Sequence, residues 1–284
     1  MRFVARVLVR VCSFAVPAAM AVSIANKDVP RVVLEEIVRV VGGPDARTRR
    51  VVDARLPPYA AVGRLSGSMV CTAALVVHPR IAVTAAHCVT SGNGLISLLP
   101  PIYASGYQAG SELGHFKALV WAFGAQQDFK GQSARDASND WAVLLLEGAP
   151  AGIRPFLLSD PPADTLMALG SQVEMPSYAI DVGEAQVLSL DPACSIRKHA
   201  WNVLVHDCKT SSGGSGAPLL IRQQDWYAVI GIHTAAIWER DQKHVMKPIG
   251  QEAVGSWSFA DAIYTLDRRL EHGGDLAVAG PLAH

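Results

Sequence analysis

From Tyr59 onward, short apolar runs alternate with turn residues, and this texture constrains the fold more than any other feature of the chain. The runs are "YAAVGRL" (59–65), "CTAALVV" (71–77), "IAVTAA" (81–86), "FKALVWAF" (116–123), "DWAVLLLE" (140–147), "SQVEMPSYAI" (171–180), "AQVLSL" (185–190), "WNVLVHDC" (201–208), "APLLI" (217–221) and "WYAVIGIHT" (226–234). Segments of this length, rich in Val and Ile and separated by turn signals, make the strands of an all-β barrel or sandwich. Only the end departs from the pattern. From Ser258, apolar residues fall at Phe259, Ala262, Ile263, Leu266 and Leu270, which is helical periodicity. Ser258 with Asp261 three residues on predicts a capping arrangement at the start of that helix.

The chain has 284 residues, half of them hydrophobic and 18% charged, a globular composition. Its formal net charge is zero, which gives no reason to expect nucleic acid or an anionic membrane as a partner. The length suits one large β domain with a removable leader, or two small domains. Arg2, Arg6 and Arg10 precede the apolar stretch Val11–Ile24, which is short for a membrane span and has the flanks of a secretory signal. Small residues at Ala19 and Ala21, or at Ser23 and Ala25, suit cleavage, so residues 1–25 read as a signal peptide; the alternative is an uncleaved anchor. Residues 26–50 are charged, carry a short helical pattern and end in Arg47, Arg49 and Arg50. They read as a propeptide with a basic processing site, or as a plain N-terminal extension. Cleavage after Arg50 would leave Val51 first and residues 51–284 as the mature domain.

Cys12 leaves with the leader, and Cys71, Cys88, Cys194 and Cys208 remain. An even number in an exported chain points to two disulfides, in one of three pairings. No CxxC or HxxxH spacing suggests zinc. No metal and no cofactor is expected.

The stretch "TSSGGSGAPL" (210–219) has a linker's composition but lies between two buried-strand patterns. A short tethered turn there would hold Ser215 among Gly213, Gly214 and Gly216. A serine hydroxyl becomes a nucleophile only beside a base oriented by a third group, and an oxyanion needs N–H donors that glycines let approach closely. His87, in "IAVTAAHCVT", follows an apolar strand and has small neighbours, as a base needs and as a structural histidine also has. Asp140 opens the apolar run "DWAVLLLE", where a carboxylate needs a partner if buried.

"TAAHC", "NDWAVLLL" and "GGSGAP" together resemble the three catalytic signatures of the chymotrypsin-like serine proteases, in that family's order His, Asp, Ser. The intervals of 53 and 75 residues between His87, Asp140 and Ser215 suit it, as does a final helix. The resemblance covers about residues 51–284. It implies two six-stranded antiparallel β-barrels with a C-terminal helix, and peptide-bond hydrolysis through an acyl-enzyme on a polypeptide substrate. The leader makes the expected location secreted or periplasmic, with no stable membrane anchor, and a monomer is expected. Carried over, Ser215 attacks, His87 is the base, Asp140 orients it, and the N–H groups of Gly213 and Ser215 form the oxyanion hole. It further implies Cys71 bridged to Cys88 and Cys194 to Cys208.

Gly214 departs from the family's animal members, which place an aspartate there to capture the N-terminal ammonium freed on zymogen activation. The chain therefore resembles bacterial members, in particular the glutamyl endopeptidases. In those enzymes a Thr and a His at the positions of Thr210 and His233 bind a substrate carboxylate, so the resemblance implies a preference for Glu or Asp before the cut; a core or surface role for His233 is the alternative. Lys209, Thr210 and Ser211 align with one pocket wall, and Thr234 with a serine near the triad aspartate. His206 and Asp207 are set aside as triad members because a strand alternates its faces. Two rivals remain. In an α/β-hydrolase the nucleophile would lead into a helix, whereas Pro218 and a strand pattern follow Ser215. In a catalytically inactive, protease-like binding protein the three reactive side-chain types would have no use.

Overall fold

The computed structural model describes residues 49–91, 95–124, 138–200, 202–240 and 246–273. The expected signal peptide, and all of the expected propeptide but Arg49 and Arg50, lie outside these residues. A two-residue strand β1 (Arg50–Val51) is followed by β2 (Val62–Ser66), β3 (Val70–Leu75), β4 (Ile81–Thr84), β5 (Ile102–Ser105), β6 (Gly114–Phe123) and β7 (Ala142–Leu146). The strands β2 to β7 close a six-stranded barrel in the order β2-β3-β4-β7-β6-β5. The second half contains β8 (Leu157–Leu158), a short helix α1 (Ala163–Ala168), β9 (Val173–Ser177), β10 (Ser189–Cys194), β11 (Ile196–Ala200), β12 (Val203–His206), β13 (Pro218–Gln223), β14 (Trp226–Arg240) and β15 (Met246–Gly255). With β1 these strands form a nine-stranded sheet: eight run in the order β1-β10-β9-β13-β14-β15-β12-β11, and the ninth, β8, pairs in parallel with β14. The all-β architecture expected from the sequence is present. The second half has more than six strands because the two-residue β1 and β8 and the hairpin strand β11 extend it.

Burial explains the texture of the runs. Every residue of β4 and β7 is buried, which fits runs, "IAV" before Thr84 and "AVLLL", that are continuously apolar instead of alternating. The inner side of these strands faces the barrel core. On the outside lies the C-terminal helix α2 (Ala260–His272), whose Ala262, Ile263 and Leu266 join Phe259 in the same cluster. Phe259 meets Trp141 at 6.3 Å between ring centroids, and the Arg269 guanidinium sits 5.0 Å from the centre of the Trp121 ring. A second core, including Val173, Met175, Leu204, Leu219, Ile230 and Ala253, fills the other half.

The expected cap on α2 is not made. Residues Ser256–Ser258 form a 3-10 turn, the helix begins only at Ala260 after Phe259, and the buried Ser258 hydroxyl has no partner among the described residues. The turn carries Ser258 one position too early to reach the helix's free N–H groups. The other end follows the usual rule: Gly273 adopts φ 64° and its N–H closes on the Arg269 carbonyl. Among the described residues no helix is long and apolar enough to cross a membrane.

Candidate active site

Strand register brings His87 and Asp140 together. β4 and β7 pair with Thr84 opposite Ala142, so the residues just beyond both strand ends emerge at one rim of the barrel. His87 lies there in the 3-10 turn Ala86–Cys88, and Asp140 is buried two residues before β7. The Asp140 carboxylate takes two hydrogen bonds from the same residue: its Oδ1 accepts the His87 backbone N–H at 3.0 Å, and its Oδ2 lies 2.7 Å from His87 Nδ1. This fixes the ring's orientation and assigns the Nδ1 hydrogen to the carboxylate side, so Nε2 is the ring's acceptor nitrogen. Burial pulls the imidazole pKa down, but the bond and charge of Asp140 outweigh it, so His87 lies above its ordinary 6.5.

Ser215 arrives from the other half, on the loop between β12 and β13. Thr72 of β3 ties this loop to the first barrel. Its N–H donates to the Ser215 carbonyl at 2.8 Å. Its hydroxyl donates to the Gly213 carbonyl at 2.9 Å and accepts the Tyr178 N–H at 3.0 Å. Its carbonyl accepts the Thr84 hydroxyl at 2.8 Å. Cys88 Sγ, in the residue after His87, lies 3.8 Å from the Ser215 carbonyl oxygen. The serine loop is thus clamped beside the turn that carries His87. Among the described residues the Gly213 and Ser215 N–H groups have no acceptor, while the Gly214 N–H between them is spent on the Ser211 carbonyl at 2.9 Å. Two free donors flanking a satisfied one are what an anion-binding turn requires. Gly213 takes φ +90°, and a Cβ there would stand 2.3 Å from the Tyr178 carbonyl oxygen.

Gly214 is explained by its neighbour. A Cβ at 214 would lie 2.0 Å from Thr210 Oγ1 and 3.0 Å from the Ser211 carbonyl. Gly214→Asp is therefore expected to displace Thr210 and shift the loop, lowering kcat/KM by about 10²-fold. Peptide-hydrolysis kinetics on the processed variant check this; equal or higher activity contradicts it.

The remaining residues singled out in the sequence fall as follows. Thr210 is half-buried, with its hydroxyl 3.2 Å from Ser177 Oγ. Lys209 is exposed, and its N–H donates to Asp191 Oδ2 at 2.7 Å. Thr234 is buried and its hydroxyl donates to the Glu252 carbonyl at 3.4 Å. His233 is buried in β14 and hydrogen-bonds the serine loop through its backbone: its N–H donates to the Ala217 carbonyl at 2.8 Å, and its carbonyl accepts the Gly216 N–H at 2.7 Å. His206, set aside on the sequence, lies against it, with Nε2 3.2 Å from His233 Nδ1. Burial pushes both imidazoles down, His206 to about 3 and His233 well below 6.5, so both are neutral at pH 7. Asp207, set aside with it, accepts the Ser195 N–H at 2.7 Å.

Cys71–Cys88 and Cys194–Cys208 are bridged, the pairing the family resemblance implies. Cys71, His87 and Cys88 offer ligand atoms within 4.8 Å of one another, but both sulfurs are in the disulfide and unavailable to a metal.

A family model described as "Trypsin-like peptidase domain" matches residues 67–232. No curated protein matches the chain. Among solved structures, a Glu endopeptidase in complex with MPD aligns at TM-score 0.61 and 18% identity, covering 81% of this chain and 100% of that one. The thermostable serine protease AL20 from an extremophilic microorganism aligns at 0.53 and 18%, covering 72% and 98%. Protease Anisep from Arthrobacter nicotinovorans aligns at 0.55 and 13%, covering 75% and 98%. At these identities the likeness is one of fold.

Proposed function

Since the chain belongs to the trypsin-like peptidase domain family, and is a serine endopeptidase, we propose that Ser215, His87 and Asp140 are its catalytic residues and that it works through an acyl-enzyme. The observation that carries this reading is the doubly bonded His87–Asp140 pair at the rim against which the Ser215 loop is clamped. His87 Nε2 takes the Ser215 proton as Oγ attacks the scissile carbonyl, and the carbonyl oxygen, now negative, moves onto the Gly213 and Ser215 N–H groups. His87 then returns the proton to the leaving amine, and the ester left on Ser215 is hydrolysed by water through the same steps in reverse. Asp140 holds the ring and stabilises the imidazolium. The two disulfides and the Arg-flanked apolar leader support export, to the periplasm or the medium.

The same reading extends to the residue before the cut. The Cys208 N–H donates to His206 Nδ1 at 3.2 Å, so the hydrogen of neutral His206 sits on Nε2, facing His233 Nδ1. That arrangement puts the hydrogen of His233 on Nε2, and with the Thr210 hydroxyl it supplies donors suited to a carboxylate. A Glu or Asp preference is tested with peptides differing only at that position. Glu is expected to exceed Gln by about 10- to 100-fold in kcat/KM, the range of a hydrogen bond to a charged group. His233→Leu is expected to level the two. Equal cleavage of Glu and Gln peptides by the unaltered enzyme contradicts the preference while leaving the triad standing.

A further inference from the structure

The side chain of Arg49 is wholly inaccessible to solvent, an unfavourable place for a cation without a partner. Its partner is Asp181, with which the guanidinium forms an ion pair, and Nη1 also donates to Ser189 Oγ at 3.4 Å. Pairing of Arg50 with Leu190 and Val51 with Ser189 holds this N-terminal segment on the edge of the second sheet. The other Asp181 oxygen accepts the Ser211 hydroxyl at 2.6 Å, and the Asp181 N–H donates back to that hydroxyl at 3.2 Å. Ser211 in turn accepts the Gly214 N–H, and the Ser212 carbonyl accepts the Ile180 N–H at 2.7 Å. A buried cation at the start of the described chain is therefore linked, through one carboxylate, to the residues immediately before the free Gly213 and Ser215 donors.

A loop with glycines at 213, 214 and 216 has little stiffness of its own and depends on such ties. An acidic side chain at 214 has no room beside Thr210, so the charged tie to this loop comes from Asp181 instead. We infer that Arg49 is a positioning residue for the serine loop, acting through Asp181 and Ser211, and that maturation leaves it attached, with any processing cut falling on its N-terminal side. Arg47 lies upstream, so a cut after it keeps the tie; a cut after Arg50, the site the basic cluster alone suggests, would remove it and leave the Asp181 carboxylate without its cation.

The inference rests on Ser215 being the nucleophile, and the test separates the two. N-terminal sequencing of the processed, active enzyme is expected to begin at or before Arg49; a fully active enzyme beginning at Arg50 or Val51 overturns the inference. In parallel, Arg49→Met, Arg49→Lys and Ser211→Ala are measured for kcat, KM and melting temperature, with Ser215→Ala as the reference. Arg49→Met and Ser211→Ala are expected to lower kcat at least tenfold with KM within about twofold, and Arg49→Lys to recover most of the loss. Should Arg49→Met fail to fold, Ser211→Ala carries the test, because it removes one hydroxyl from a half-buried residue. Unchanged kcat in Ser211→Ala, or in folded Arg49→Met, overturns the positioning role while an inactive Ser215→Ala keeps the catalytic reading intact. Turnover by Ser215→Ala at the unaltered rate overturns both.

Discussion

Ser215→Ala is expected to fold normally and to lose about 10⁶-fold in kcat for peptide hydrolysis. The contacts that hold position 215 run through its carbonyl to the Thr72 N–H, so deleting the hydroxyl removes the proposed nucleophile and leaves the clamp. His87→Ala should lose nearly as much, since an unassisted serine hydroxyl is a weak nucleophile at neutral pH. The double variant should be no worse than either single one, because the two act as a unit. Steady-state kinetics with circular dichroism on each variant check this. A folded Ser215→Ala enzyme with substantial turnover would locate the chemistry elsewhere.

Asp140→Asn is expected to cost about 10⁴-fold in kcat. Asp140 accepts hydrogens from both the backbone N–H and the ring Nδ1 of His87. An asparagine can accept the first only by turning its NH₂ toward the ring, which favours the tautomer with hydrogen on Nε2 and so blocks the base. The pH profile distinguishes this from mere loss of packing. His87 must be neutral to act, and it lies above 6.5 because Asp140 outweighs the effect of burial. Activity of the unaltered enzyme should therefore fall as pH drops through a value above 6.5. The asparagine variant lacks the charge that raises the imidazole, so the acidic limb of its residual activity should move to lower pH. A limb at or below 6.5 in the unaltered enzyme, or one that does not move in the variant, contradicts the assignment.

Much of the frame was legible because it is encoded locally. The apolar runs at 71–77, 81–86 and 140–147 became β3, β4 and β7, and the antiparallel register of the last two is what joins His87 to Asp140. The residues that hold the site together were not legible, because their partners are remote. Thr72 sits in "CTAAL" and reads as an ordinary strand residue, yet it bonds to positions 106 and 141 residues away. Asp181, between an apolar run and a turn, carries no local mark of the cation it pairs with 132 residues upstream. Strand alternation gives the parity of the His206 side chain but not what faces it; β12 and β14 flank β15, and that places His206 against His233. The Ser258 cap failed for a different reason, since a spacing rule does not distinguish a helix start from a preceding 3-10 turn.

The most direct measurement is covalent labelling of the processed enzyme with a fluorophosphonate, followed by peptide mapping. One label per chain is predicted, on Ser215 within "TSSGGSGAPL", absent from His87→Ala and slow in Asp140→Asn. A peptidase that is active but unlabelled, or labelled at another serine, would contradict the assignment of the reaction to His87, Asp140 and Ser215.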